Sequence, residues 1–354
     1  MQILDLYIGR IIASTTFLTL SVFVSLSSII KFVEQVRSVG KGNYDLSHAA
    51  LYVLYAMPTD VELFFPMSAL IGGLIGVGML ASNSELVVMQ ASGLSRLDIV
   101  KSVMKSATVL IVISMIMGEW VVPKGEAAAR QVKAQAISGG SLISGNGGTW
   151  AKDGDFFVHI KEIEDIGRLN GVQIYRFNEK LQLASWLSAE RAVFQQKTWL
   201  LTDVEETFIT DKKVITKNST NQQWSSSLTP EKLGVVMVKP EYLSIRGLVD
   251  YLDYLEANQQ DPSRYQLALW RKIVQPITLA VMLLVALSFI FGPLRSVSMG
   301  ARIMMGVATG ILFFIANQTF GSFSLVYQIP AIWGALMPSI LFTMVALYFF
   351  NKKA

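Results

Sequence analysis

The chain has 354 residues, 52% of them apolar and only 16% charged, with a net charge of +4 and no cysteine. Soluble chains carry about 25% charged residues, so this is the composition of a membrane protein. The missing cysteines exclude disulfides, thiolate catalysis and Cys-based metal sites, and the scattered positive charge holds no run of the nucleic-acid-binding kind.

The first long uncharged run covers residues 11–30, the roughly 20 residues that cross about 30 Å of hydrocarbon. It is too long for a signal-peptide core and no small-residue cleavage site follows it, so it is expected to stay as a span. Lys31 closes the run, followed by Glu34, Arg37 and Lys41. Two readings of Lys31 stand: an ammonium that grips the phosphate of an anionic headgroup, or a snorkelling lysine paired with Glu34 one turn on. The second run, residues 63–84, follows Pro58 and contains Pro66, Gly72, Gly73, Gly76 and Gly78. These permit kinks and close helix approach, or simply ordinary small-residue packing.

Residues 82–93 read as a short cytoplasmic helix, with a capping box Ser82-x-x-Glu85 at its start and Gly93 as its C-cap. Such a helix can dock a permease on a separate ATPase; alternatively Glu85 only caps it and its apolar residues lie in the lipid interface. The third run, residues 106–118, is short between charges, but Lys101 and Lys105 can snorkel and lengthen it. Residues 126–138 look like a helical exit from it.

A different kind of chain follows. Residues 156–160, 171–177 and 198–201 read as short strands, separated by turn signals at Asp153-Gly154, Asn170-Gly171 and Asn178-Glu179. Many short strands at this spacing suggest a sandwich or jelly roll. After Pro240, the residues Leu243, Ile245, Leu248, Tyr251, Leu252 and Leu255 recur near helical spacing. The only histidines, His48 and His159, lie far apart, so no His-centred metal site is expected.

The fourth run covers residues 273–294 and the last, 303–351, is too long for one crossing. It divides near residues 320–330, where Gly321, Ser322, Ser324, Gln328 and Pro330 supply turn chemistry, and reads as a two-span hairpin. The expected fold is therefore α-helical and membrane-spanning. Residues 1–122 hold three spans and the coupling helix near 84–93, residues 123–262 an all-β jelly-roll-like insert with connecting helices, and residues 263–354 three more spans. Lysine and arginine placement sets the orientation. Arg10, Arg96, Lys101, Lys105, Arg295, Arg302, Lys352 and Lys353 fall on one side, against Lys31, Arg37 and Lys41 in the short loops of the other. Both termini are expected in the cytoplasm, with the insert outside.

No Gly-x-x-x-x-Gly-Lys-Ser/Thr, Gly-x-Ser-x-Gly or His-Glu-x-x-His occurs, so no ATPase site, catalytic residue, metal or cofactor is expected in this chain. The long runs hold no ion-coupling charges of the kind a self-sufficient secondary transporter needs, and Asp60, Glu62 and Glu119 lie near the outer boundary. A membrane-anchored sensor or scaffold with an extracytoplasmic β domain is the alternative. It would be expected to carry a cytoplasmic signalling domain, which these short loops do not provide.

Four motifs carry a resemblance: Leu63-Phe64-Phe65-Pro66-Met67-Ser68-Ala69-Leu70, Ser84-Glu85-Leu86-Val87-Val88-Met89-Gln90-Ala91-Ser92-Gly93, Trp150-Ala151-Lys152-Asp153-Gly154 and Phe289-Ile290-Phe291-Gly292-Pro293-Leu294-Arg295-Ser296. Together with the domain order, they resemble the LptF/LptG family of lipopolysaccharide export permeases over the whole length. That resemblance implies a heterodimer of LptF with LptG in the Gram-negative inner membrane, seated on two copies of the ATPase LptB, which uses ATP and Mg. It implies that lipopolysaccharide passes from the outer leaflet of that membrane to LptC and a periplasmic bridge of jelly rolls. Glu85 matches the acidic residue of the family's coupling helix, with Leu86, Met89 and Arg96 beside it. Lys31 and Arg37 match positions facing lipid A phosphates, and Arg130 and Lys133 match basic positions near the top of the cavity. Ser38 stands where a second basic residue is expected beside Arg37, so that part of the site is weaker or shifted to Lys41.

Overall fold

The computed structural model describes residues 2–138, 148–165, 167–178, 182–210, 213–230, 232–233, 238–292 and 297–351. Arg295, Lys352 and Lys353 of the charge count, Glu179 of one turn signal and residues 293–296 of the last motif lie outside the described residues. In chain order the helices are α1 (Gln2–Val36), α2 (Leu46–Ser82), α3 (Glu85–Ala91), α4 (Arg96–Ile116), α5 (Val122–Ser138), α6 (Ile245–Ala257), α7 (Ser263–Phe291), α8 (Met299–Val326) and α9 (Ala331–Asn351). Between α5 and α6 come β1 (Thr149–Asp153), β2 (Phe156–Asp165), β3 (Arg168–Phe177), β4 (Leu183–Gln195), β5 (Thr198–Thr210) and β6 (Lys213–Trp224). Two compact units result: residues 1–31, 56–125 and 263–354, and residues 32–55 and 126–262.

The first unit is helical, and among the described residues 6 helices are long and apolar enough to cross a membrane. The hairpin falls where turn chemistry placed it, α8 ending at Val326 and α9 opening at Ala331, with Gln328 at φ +53° in between. The third span is not short. A single π-helical turn, Met117–Val121, joins α4 to α5, and the resulting helix of 42 residues is roughly 60 Å long at about 1.5 Å per residue. Its flanking lysines do not need to snorkel: Lys105 Nζ lies 2.6 Å from Asp5 of α1 and Lys101 Nζ 3.6 Å from Asp98.

Within this unit α2 is the central helix, with 67% of its most apolar window buried against 22% for α1. Its glycines explain how one helix can have so many neighbours. A Cβ on Gly72 would come within 2.5 Å of the Thr16 backbone and one on Gly76 within 2.9 Å of Thr15 Oγ1, so both lie against α1. Gly73 faces Leu283 and Ala286 of α7, while Gly78 faces Arg302 of α8. Thr15 Oγ1 donates to the Gly72 carbonyl at 2.7 Å, a bond that only touching helix backbones allow. Glycines of α8 reciprocate, Gly306 meeting Leu74 and Gly310 meeting Met67.

The second unit is built on a 6-stranded antiparallel sheet in the order β1-β2-β3-β4-β5-β6. It is the all-β insert expected from the spacing of turn signals, and every neighbour in it is consecutive in sequence. Alternation puts Val158, Ile160, Val172, Ile174, Leu187 and Ala189 in its core, and Leu201 and Val204 of β5 join them across Asp203, which takes φ +53°. Trp199 is fully buried, its Nε1 donating to the Leu228 carbonyl at 2.7 Å. Asp153-Gly154 makes the β1–β2 turn as expected, but Asn170-Gly171 does not turn. It lies inside β3, where β2 and β4 pair on both sides and Gly171 alone takes φ +63°. Cross-strand pairing there outweighs a local turn preference. On α6, Leu248, Tyr251, Leu252, Tyr254 and Leu255 are buried. The Tyr254 hydroxyl donates to the Lys152 carbonyl at 2.6 Å and Asn258 Oδ1 accepts from the Gly154 N–H at 2.6 Å. Burial, and then the carboxylate of Asp153, push the Tyr254 phenol above its ordinary 10.0.

Candidate functional site

The basic residues fall in both units. In the first, Lys31 comes at the end of an apolar helix and reaches α2, where its Nζ lies 2.8 Å from Asp60 Oδ1. Asp60 is almost wholly buried, with 3% of its side chain exposed against 26% for Lys31. The Glu34 pairing, one of the two readings of Lys31, is not what forms; among the described residues the ion pair of Lys31 is to Asp60. A partner on the next helix can accept a lysine that points sideways from its own helix. Glu34, one turn further along α1, would require it to fold back along the helix surface.

The second unit gathers the other four. Tyr44 anchors the loop after α1, packed in a small core with Ala49 and Ala136 and flanked by Phe32 and Ile137. Burial pushes the Tyr44 phenol above its ordinary value, with the nearby Tyr52 a lesser cause. The loop then meets the C-terminal end of α5: the Asn43 N–H donates to the Ala136 carbonyl at 2.6 Å. Gly42, at φ +56°, runs so close to the carbonyls of Ala136 and Ile137 that a Cβ would clash at 2.4 Å. That contact holds the loop bearing the exposed Arg37 and Lys41 against the helix bearing Arg130 and Lys133. Lys133 Nζ donates to Gln35 Oε1 at 2.9 Å and stands 5.5 Å above the Tyr52 ring. Arg130 Nε is 3.0 Å from Glu126, a half-exposed cation on a buried carboxylate. The loop closes on Asp45, which accepts from the Ser47 hydroxyl and from the His48 N–H at the start of α2. These bonds hold its carboxyl below the usual carboxylate range.

The segment between the second and third spans folds as a short helix, but its ends differ from expectation. Ser82 is the last residue of α2 and does not cap α3; Ser84 precedes Glu85 at φ +63° with no side-chain cap. The capping box belongs to the next helix, where Ser95 and Asp98 bond reciprocally at the start of α4. At the other end Gly93, at φ +99°, donates to the Gln90 carbonyl and Leu94 to that of Met89, which is a Schellman ending. Glu85 stays half-exposed and accepts from the Tyr7 hydroxyl at 2.9 Å. Leu86 and Met89, placed by the sequence on the docking side, are buried in the core of the unit. Val87, Val88 and Leu97 face outward instead, 59%, 66% and 69% exposed, with Arg96 also exposed. Two opposite flanks of one helix are apolar, and periodicity does not say which of them the protein covers.

The burial and partners of charges at the edges of the apolar runs were missed. Lys272 Nζ lies 2.8 Å from Glu62 and 3.3 Å from the Gly118 carbonyl, in the π-helical turn, with both side chains largely buried. Arg302, also buried, donates to the Gly78 carbonyl at 2.9 Å. Each sits at the edge of an uncharged run, so each looked like a boundary residue until its partner on another helix was known. In the β insert, Trp150, Phe157, Tyr175, Phe177 and Leu183 line an open apolar hollow of about 580 Å³. The successive pairing of β1 with β2, β2 with β3 and β3 with β4 brings these five together, and no local motif announces it.

Comparison with known proteins agrees with this architecture. The family described as lipopolysaccharide export system permease LptF/LptG matches residues 6–352. The lipopolysaccharide export system permease protein LptG of Escherichia coli K12 is 50% identical over 355 residues, covering 99% of each chain. The protein of the same name from Haemophilus influenzae is 47% identical over 352 residues, covering 99% of this chain and 98% of its own.

Proposed function

The chain belongs to the lipopolysaccharide export system permease LptF/LptG family, and from that premise we propose that it is a transmembrane subunit that lifts lipopolysaccharide out of the outer leaflet of the bacterial inner membrane. The observation that carries the reading is the group of cations Arg37, Lys41, Arg130 and Lys133 that the Gly42–α5 contact gathers in the second unit; in the first unit, Lys31 is held on Asp60. These suit the phosphates of a lipid headgroup, with Lys31 as a point charge and the arginines able to bind two oxygens each. Lys31 also stands at the polar end of an apolar helix, where headgroup and acyl chains meet.

Removing such a lipid from a bilayer costs about 0.8 kcal/mol per exposed CH₂. An external energy source is therefore required, and in this reading it is the ATPase LptB, using ATP and Mg, paired below this chain and an LptF-type partner. Both termini face the cytoplasm, which puts α3 on the same side as the ATPase. Glu85 and Arg96 then supply the polar contacts, and Val87, Val88 and Leu97 the apolar patch that a motor protein covers. The β insert faces the periplasm, where an outer strand of its sheet can pair with the jelly roll of LptC or of the bridge. Closure of the ATPase, passed through α3, squeezes an apolar cavity between the two permease subunits and drives the lipid toward that bridge.

The test is purification of the tagged full-length chain from its native membrane in mild detergent, with mass spectrometry of what accompanies it. The expected result is a second permease of similar size, a soluble ATPase in two copies and bound lipopolysaccharide. Recovery of the chain with neither ATPase nor glycolipid would overturn the reading.

A further inference from the structure

Asp60 is a buried carboxylate with one oxygen on Lys31, at 2.8 Å, and the other, Oδ2, enclosed without a hydrogen-bond partner among the described residues. A charge in that position leans on a single ammonium. Lys31, in turn, has three N–H donors, is ion-paired with Asp60 and keeps about a quarter of its side chain exposed, 26%. Its donors can therefore reach an anion at the protein surface while the ammonium stays beside the carboxylate. An anion that drew the ammonium away altogether would leave Asp60 charged, buried and alone, which is strongly unfavourable. The same carboxylate thus fixes where the ammonium stands and resists its full transfer.

We propose that Asp60 is the positioning counter-ion of Lys31, competing with the lipid phosphate for the ammonium so that the headgroup is held loosely enough to be released. This rests on the reading of Lys31 as a phosphate-binding residue and assigns the strength of that grip to a residue on the neighbouring helix. A permease that bound its headgroup as tightly as an unopposed lysine allows would trap its own substrate. One negative charge, placed out of reach of the lipid, prevents that.

The experiment titrates purified lipopolysaccharide into the full-length chain, isolated together with whatever subunits accompany it, for the parent and four variants. Lys31→Ala should weaken binding. Asp60→Asn, nearly the same shape without the charge, should tighten it about tenfold, the factor that corresponds to about 1.4 kcal/mol. The combination of Lys31→Ala with Asp60→Asn should show no tightening over Lys31→Ala alone, because the competition needs the ammonium. A merely structural Asp60 would not produce a gain that depends on Lys31. Weaker binding in Lys31→Ala with unchanged or weaker binding in a stably folded Asp60→Asn would overturn the role of Asp60 and leave the phosphate reading standing. No effect of Lys31→Ala would overturn both. The fourth variant exchanges the partners, Lys31→Asp with Asp60→Lys, and keeps an ion pair should Asp60→Asn fail to accumulate. It should bind as weakly as Lys31→Ala, since its ammonium is now the buried member, and parental affinity in it would refute the proposal.

Discussion

Lys272 and Glu62 are 210 positions apart in sequence, yet their charged atoms meet at 2.8 Å beside the Gly118 carbonyl. Desolvating two ions is costly, and the pair persists because each partner satisfies the other and the π-helical turn supplies a further acceptor. Such pairs are asymmetric: losing one member is worse than losing both. Lys272→Met should therefore destabilise the chain by about 3 kcal/mol, whereas Lys272→Met with Glu62→Leu should recover most of that. Thermal melting in detergent decides it, and a single variant as stable as the double one would contradict the account. Gly118 belongs to the same arrangement, because a Cβ there would lie 2.5 Å from Glu62 Oε1. The sequence displayed all three residues. It did not display that they touch, since the contact is made by three separate helices.

At the scale of elements, α3 shows how a correct helix can carry the wrong face. The Glu-Leu-Val-Val-Met-Gln-Ala stretch is apolar on opposite flanks, and only the packed unit decides that Leu86 and Met89 turn inward while Val87 and Val88 turn out. The two flanks should respond differently to substitution. Val88→Asp should leave the melting temperature near that of the parent and reduce recovery of the soluble ATPase in pull-downs severalfold. Leu86→Ala should instead destabilise the chain by about 2–3 kcal/mol through the cavity it opens. Equal ATPase recovery for Val88→Asp would remove the exposed flank from the coupling surface. The capping box makes the same point: Ser82 and Glu85 have the spacing of one, and so do Ser95 and Asp98, but only the second pair stands at a helix start with the geometry to close.

On the scale of the whole chain, the two units are held by different forces. The span unit depends on glycine-lined contacts between helices, and the insert on a continuous ladder of strands capped by α6. Tyr254 supplies a pH-dependent part of the second. Its phenol is pushed above the ordinary 10.0 by burial and by Asp153, so folding favours the protonated form. The stability it contributes is fully present below pH 10 and is lost as pH rises beyond that. Melting of the full-length chain between pH 8 and pH 11 should show the insert weakening first on the alkaline side. Tyr254→Phe should flatten that slope at some loss of stability near pH 8, and an unchanged slope would exclude Tyr254 as its source.

The sequence by itself determined what composition and period encode. Six apolar helices, the break near Pro330, an all-β insert and the type of residue available at each polar boundary are local or additive properties, and a chain in a bilayer has few ways to satisfy its backbone except as helices. Tertiary structure alone decided the rest. It put Asp60 under Lys31, Lys272 on Glu62, Gly72 against Thr16, the Gly42 loop on the end of α5 and Asn170-Gly171 inside a strand. All of these join segments far apart in the chain or, in β3, depend on partners at both edges. No local preference fixes them, because their energies exist only once the surrounding elements have excluded solvent from the site.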